Sequence, residues 1–250
     1  MRYHIDTIPV WDALRAHTEC PLCLLRRKTE HQLADRYLGA SVMEPDTRIR
    51  VNAKGFCQDH HQMLYDLQNR LGHALMMLSH IQELRKKVEP ALQGAVPSGA
   101  GMLQKMFGKP AAAPAQDSAL APYTQGCVLC DTLQDSMDAY AFTLLHLWKT
   151  DSTFQKEFAA SKGLCLPDAA WVLHMAPQHL NGQALSSLDS TVKSLLRDNL
   201  KRLEEELDWF TRKFDYRNAD KPWGESRDAL ERAAQKLRGW CVGKDPGLDA

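Results

Sequence analysis

Long apolar runs are missing from this chain. No stretch approaches the roughly 18 uninterrupted apolar residues of a membrane-spanning helix. The opening MRYHIDTIPVWDALRAH lacks the apolar run and small-residue cleavage site of a secretory signal. A cytoplasmic protein without membrane association is the expectation. An excess of charge is missing too: 31 Lys and Arg face 31 Asp and Glu. That excludes a global basic field, so nothing favours nucleic acid as a partner. Also absent are a phosphate-binding Gly loop, a nucleophile elbow, an H-E-x-x-H helix and a carboxylate pair on a loop. The common catalytic chemistries therefore have no motif here, and whether the chain is an enzyme stays open.

Cysteine is present, but not as a disulfide framework. The chain has seven, an odd number, and no secretory signal accompanies them. Six fall into two groups of three: Cys20, Cys23 and Cys57, then Cys127, Cys130 and Cys165. Cys241 stands apart as an expected free thiol. "CPLC" at 20–23 faces "CVLC" at 127–130, and "KGFCQDH" from Lys54 faces "KGLCLPD" from Lys162. The spacing between the two landmarks is 33 residues in one copy and 34 in the other. "GHAL" at 72–75 is echoed by "GQAL" at 182–185. This reads as an internal duplication: a first helical module over 1–93, a flexible linker rich in Ala, Pro and Gly over 94–126, and a second, diverged module over 127–250. Within the linker, "MLQKMF" suggests one helical turn.

Both modules read as helix, and no convincing strand is found. The fold expectation is all-α: two related helical bundles with long antiparallel helices. Thr7 is the expected N-cap of an opening helix with Pro9 in its first turn. "EPDTRIRVN" suggests a short helix. From Asp59 to Val88 one helix is expected, with Leu64, Leu67, Leu71, Ala74, Leu78 and Ile81 as its buried stripe and Pro90 as its end. The second copy repeats the plan, interrupted at Pro177. Its longest helix is expected over 183–216, with Leu196, Leu200, Leu203, Leu207, Phe210 and Phe214 as the stripe. "GESRDALERAAQKLRGW" closes the chain, with Trp223 and Trp240 as packing anchors.

Thiolate and imidazole together suit Zn²⁺, which takes four ligands tetrahedrally. C-x-x-C places two sulfurs on one turn, and C-x-x-H places a sulfur and a nitrogen in the same way. Each pair sits at an expected helix start, where free N–H groups and the helix dipole stabilise thiolate. Gly55 lets the chain turn into the second pair. The expected sites follow the modules: Cys20, Cys23, Cys57 and His60 in the first, and Cys127, Cys130, Cys165 and Asp168 in the second. His61 competes with His60, which is preferred because it aligns with Asp168. His174 is a substitute for Asp168 only if the helix start is distorted. Zinc is the simplest cofactor, and a [4Fe–4S] cluster is the alternative, since it also accepts three Cys and one odd ligand.

Taken together, "CPLC…KGFCQDHH…GHAL", "CVLC…KGLCLPD" and "DYRNADKPWGESRDALERA" resemble an uncharacterised bacterial family of helical proteins, a domain of unknown function. The resemblance covers most of the chain outside the linker. It implies Cys-x-x-Cys and Gly-x-Cys-x-x-His in both modules, matched here at Cys20, Cys23, Cys57 and His60 and at Cys127, Cys130 and Cys165. The family's second His falls on Asp168. The resemblance implies metal binding and carries no established activity.

Other features have plain explanations. His73, Met76, Met77 and His80 share one helix face, which fits core packing better than a haem or copper site. "LLRRK" and "LRKK" fit solvated helix ends. The leading expectation is a non-catalytic zinc protein, structural or binding a protein partner. An iron–sulfur protein in redox or cluster maturation is second, and a dithiol oxidoreductase using Cys20 and Cys23 is third.

Overall fold

The computed structural model describes residues 3–92 and 120–243. Among them there are ten α-helices and no strand, as an all-α chain requires. In order these are α1 (Tyr3–Arg15), α2 (Pro21–Leu38), α3 (Pro45–Lys54), α4 (Gln58–Asp66), α5 (Arg70–Leu92), α6 (Val128–Thr150), α7 (Ser152–Ala159), α8 (Leu166–His179), α9 (Gly182–Arg212) and α10 (Ala229–Arg238).

The chain divides into two compact units. Unit 1 is residues 1–29 with 134–250, and unit 2 is residues 30–133. These units cut across the sequential modules 1–93 and 127–250: each takes one landmark from either module. Most of the expected linker, with its MLQKMF stretch, lies outside the described residues.

In unit 1, aromatic side chains from α1, α6 and α7 fill the core. Trp11 meets Phe154 edge-on at 5.2 Å, and Trp148 meets Phe158 at 5.9 Å. Phe154 and Phe158 are almost wholly buried. α9 buries Leu188, Val192, Asn199 and Leu203. Of the stripe expected for this helix only Leu203 is fully buried; Leu200 is partly exposed and Phe214, beyond the helix end, is 75% exposed.

In unit 2, the helix expected from Asp59 to Val88 is broken in two. Gln68 adopts φ +67, left-handed backbone that ends α4's run. Asn69 then caps α5: its carbonyl oxygen accepts from the Gly72 N–H at 3.0 Å, and its amide donates to the Leu38 carbonyl. α5 continues through Pro90 to Leu92. Its buried face is not the expected one. Met76 is fully buried, while Leu71, Leu78 and Ile81 are more than half exposed. The reason lies in α3, which presents polar groups needing partners. Arg48 donates to the Leu75 carbonyl and to Ser79 Oγ, both at 2.8 Å, and Asn52 accepts from Ser79 Oγ at 2.6 Å. Satisfying these groups fixes the helix's rotation against the apolar pattern.

At the N-terminus, α1 begins at Tyr3, so Thr7 is not its cap and Pro9 lies inside it.

Candidate metal centres

The four ligand pairs share one local geometry. Cys57 and Cys165 are the N-caps of α4 and α8, both extended, with φ −77 and ψ 172 against φ −68 and ψ 162. Gly55 and Gly163 precede them at φ +65 and +72, left-handed conformations that favour glycine. At Gly55 a β-carbon would also stand 2.6 Å from His80 Nε2. Cys20 and Cys127 stand just ahead of α2 and α6. Each of the four leading Cys residues accepts, on its carbonyl, the first helical bond: from Leu24 to Cys20, His61 to Cys57, Asp131 to Cys127 and Ala169 to Cys165. The second ligand of each pair follows three residues later, in the helix's first turn. This is the spacing by which a cap and the N3 residue face each other across a helix start. The Cys130 N–H donates to Cys127 Sγ at 3.4 Å, so a free helix N–H faces sulfur directly.

All eight expected residues fall into two clusters that could hold a metal, but in a pairing that the modules do not suggest. Cys57 and His60 meet Cys127 and Cys130 in unit 2, and Cys20 and Cys23 meet Cys165 and Asp168 in unit 1. Within each group the ligand atoms all lie within 4.8 Å of one another. The pairing Cys20–Cys23–Cys57–His60 is therefore corrected. Two C-x-x-C turns are interchangeable to a metal, so only tertiary packing decides which knuckle each one meets.

The unit 2 centre is built around His60. Its Nδ1 lies 3.1 Å from Cys57 Sγ, 3.2 Å from Cys127 Sγ and 3.3 Å from Cys130 Sγ. Cys57 and Cys130 sulfurs are 3.8 Å apart. A tetrahedral zinc with Zn–S of about 2.3 Å and Zn–N of about 2.0 Å sets sulfurs about 3.8 Å apart and nitrogen about 3.5 Å from sulfur. The far nitrogen, Nε2, is 3.1 Å from the Glu30 carboxylate. Were Nδ1 to bind a metal, that contact would keep the remaining ring proton on Nε2 and leave the Nδ1 lone pair facing the sulfurs. His61 is not a ligand here: its Nδ1 contacts His73 Nε2 at 3.0 Å. The two knuckles are also tied by backbone, the Val128 N–H donating to the Gly55 carbonyl at 3.0 Å. Beside them Lys54 pairs with Asp131.

The unit 1 centre is buried throughout. Asp168 Oδ2 lies 3.2 Å from Cys20 Sγ and 3.5 Å from Cys23 Sγ, and Cys23 and Cys165 sulfurs are 3.6 Å apart. Asp168 thus fills the fourth corner itself, with no call on His174. Its other oxygen faces the Arg26 guanidinium at 3.8 Å. Lys236 of α10 is fully buried alongside. Its ammonium donates to the carbonyls of Glu19 at 2.6 Å, Lys162 at 2.8 Å and Leu164 at 3.4 Å. Glu19 and Leu164 are the residues just before Cys20 and Cys165, so one ammonium clamps both knuckles. Glu19's carboxylate, buried, is held by Arg202 at 2.7 Å and by Lys236 at 3.3 Å.

The titration behaviour of the groups follows from crowding. Burial pushes the Cys20 thiol up to about 11 and the Asp168 carboxyl up to about 7, and the neighbouring Cys20 adds to the second shift. Contacts with Cys20 and Cys23 bring Cys165 down to about 5. In unit 2, burial opposes ionisation of Cys127, but its contact with His60 and the Cys130 N–H bring it down to about 6. Burial opposes protonation of His60, which Cys127 and Glu30 outweigh, lifting it to about 10. In each cluster burial and crowding keep some of the ligand groups protonated, and those are the protons that a bound cation could displace.

Glu30, Arg26, Glu19 and Lys236 carry no spacing signal in the sequence. Glu30 gives a direct prediction. Glu30→Gln keeps the shape but weakens the hold on the imidazole, so metal affinity at the unit 2 centre should fall about 10–100-fold. Competition against a chromogenic chelator checks this, and the unit 1 centre should be unchanged.

Among the described residues no helix is long and apolar enough to cross a membrane. The seven cysteines are free thiols, Cys241 exposed among them. No curated protein and no solved structure matches the chain. The family of unknown function DUF6062 matches residues 1–244, and the chain belongs to that family.

Proposed function

We propose that this is a zinc protein with two structural centres, whose ions pin chain segments that are distant in sequence. The observation that carries the reading is the pair of four-ligand clusters at single-ion spacing. Four protein ligands close a zinc site and leave no position for a reacting water, which favours a structural or partner-binding role over catalysis. An iron–sulfur cubane is less well supported. In it each ligand binds a different iron, which needs a wider set of ligand atoms than one within 4.8 Å. A dithiol oxidoreductase would leave Asp168, His60 and the other thiols without a role.

The charges fit the ions. In unit 1, three thiolates and a carboxylate exceed a divalent cation by two charges, and Arg26 and Lys236 stand beside them. In unit 2, three thiolates and a neutral imidazole exceed it by one. The sequence modules are read as copies of one ancestral unit, each lending its C-x-x-C turn to the other's knuckle. A protein partner, bound through the helical surfaces, and a cytoplasmic setting complete the proposal.

Metal analysis of anaerobically purified protein tests it. Two zinc ions per chain, no sulfide and a colourless solution are the expected result, with helical ellipticity falling when a strong chelator strips the metal. Iron with matching sulfide would replace the reading, and folded metal-free protein that takes up no zinc would end it.

A further inference from the structure

The two centres differ in access. In unit 1 every ligand is buried: Cys20 is 0% exposed, Cys23 4%, Cys165 1% and Asp168 5%. In unit 2, His60 and Cys127 are buried as deeply, but Cys57 is half-buried and Cys130 is exposed. The two accessible sulfurs are 3.8 Å apart and form one edge of the ligand tetrahedron. An incoming chelating group can meet that edge without opening the fold. The edge is bridged by one backbone bond, from the Val128 N–H to the Gly55 carbonyl, and by the Lys54–Asp131 pair, which is itself about half exposed and so screened by solvent. In unit 1 the corresponding segments are clamped by a fully buried Lys236.

We propose that the unit 2 centre is an exchange site, from which a thiol-bearing acceptor takes the metal through Cys130, while the unit 1 centre keeps its ion. The inference rests on the two-centre zinc reading. The step is a ligand exchange with no change of oxidation state. A thiolate sulfur of the acceptor bonds to the divalent metal at the exposed edge, and the metal–Cys130 bond breaks. The proton given up by the acceptor thiol passes to Cys130. A second acceptor thiol replaces Cys57 in the same way, and the ion then leaves His60 and Cys127. Zinc tolerates the five-coordinate passage that this requires. The acceptor class is a dithiol, small or presented by a protein, because two sulfurs a few ångströms apart match the edge they displace.

The full chain, loaded with zinc and kept anaerobic, is challenged with dithiothreitol. At intervals it is desalted, analysed for zinc per chain, alkylated with iodoacetamide and mapped by peptide. One of the two ions should leave well before the other, with Cys57, Cys127 and Cys130 becoming alkylated together. Cys20, Cys23 and Cys165 should stay unlabelled until the protein is denatured. Loss of both ions at one rate, or labelling of Cys20, Cys23 and Cys165 first, would overturn the exchange assignment and leave the two-centre reading standing. A chain that holds no zinc at the outset would overturn both.

Discussion

Replacing Cys57 with Ser should empty one metal centre and leave the other full. The structure groups Cys57 with His60, Cys127 and Cys130. A serine hydroxyl is not ionised at neutral pH and does not replace a thiolate on zinc. The metal content should therefore drop from two ions per chain to one. Alkylation should then reach Cys127 and Cys130, while Cys20, Cys23 and Cys165 stay protected. The pairing suggested by the modules makes the opposite prediction, since there Cys57 serves the centre of Cys20 and Cys23. One peptide map separates the two. The effect on folding should be large. Structural zinc in small peptide modules contributes about 10–16 kcal/mol at neutral pH. A whole domain is typically stable by only about 5–15 kcal/mol. Unit 2 should accordingly lose much of its helix, and amide exchange over 30–133 should accelerate more than elsewhere.

This contrast shows what can be read from the chain. Helices and the Cys, His and Asp turns that cluster were legible because each rests on local spacing. Cys-x-x-Cys, Gly-x-Cys-x-x-His and Gly-x-Cys-x-x-Asp are statements about one turn of backbone, and all four turns occur where the spacing puts them. The pairing of turns was not legible, because the two C-x-x-C segments are chemically alike and each lies nearer in sequence to the knuckle that it does not join. Rotation of the long helices failed for a related reason. On α5 the apolar pattern points to Leu71, Leu78 and Ile81, but Arg48 and Asn52 of α3 draw the opposite face inward. The break at Gln68 and Asn69 was hidden because neither is Gly or Pro, although Asn is a good helix cap. Glu30, Arg26 and Lys236 were invisible for a simpler reason: a charged residue reads as surface until its buried partner is known.

Lys236 makes the second large prediction. It is 0% exposed, an expensive place for an ammonium unless its donors are used. They are used: three carbonyls and the Glu19 carboxylate surround it. Burial pulls its pKa down, and Glu19 together with Cys20 works against that. Lys236→Met preserves the length of the side chain and removes every one of these bonds. The carbonyls of Glu19, Lys162 and Leu164 lose a donor, and the buried Glu19 keeps only Arg202, Arg232 and Lys162. Breaking a buried ionic contact from one side costs about 3–5 kcal/mol. A loss of that size should appear as a lower denaturant midpoint for unit 1. A purely packing role would end there. A clamp on the knuckles would also lower the unit 1 centre's affinity for zinc, although no ligand has been touched. The decisive comparison is between metal-loaded and metal-free protein. If Lys236 holds Cys20 and Cys165 in position for the ion, zinc should stabilise the Lys236→Met protein less than the native one. If zinc stabilises both equally, Lys236 supports the fold without preparing the centre.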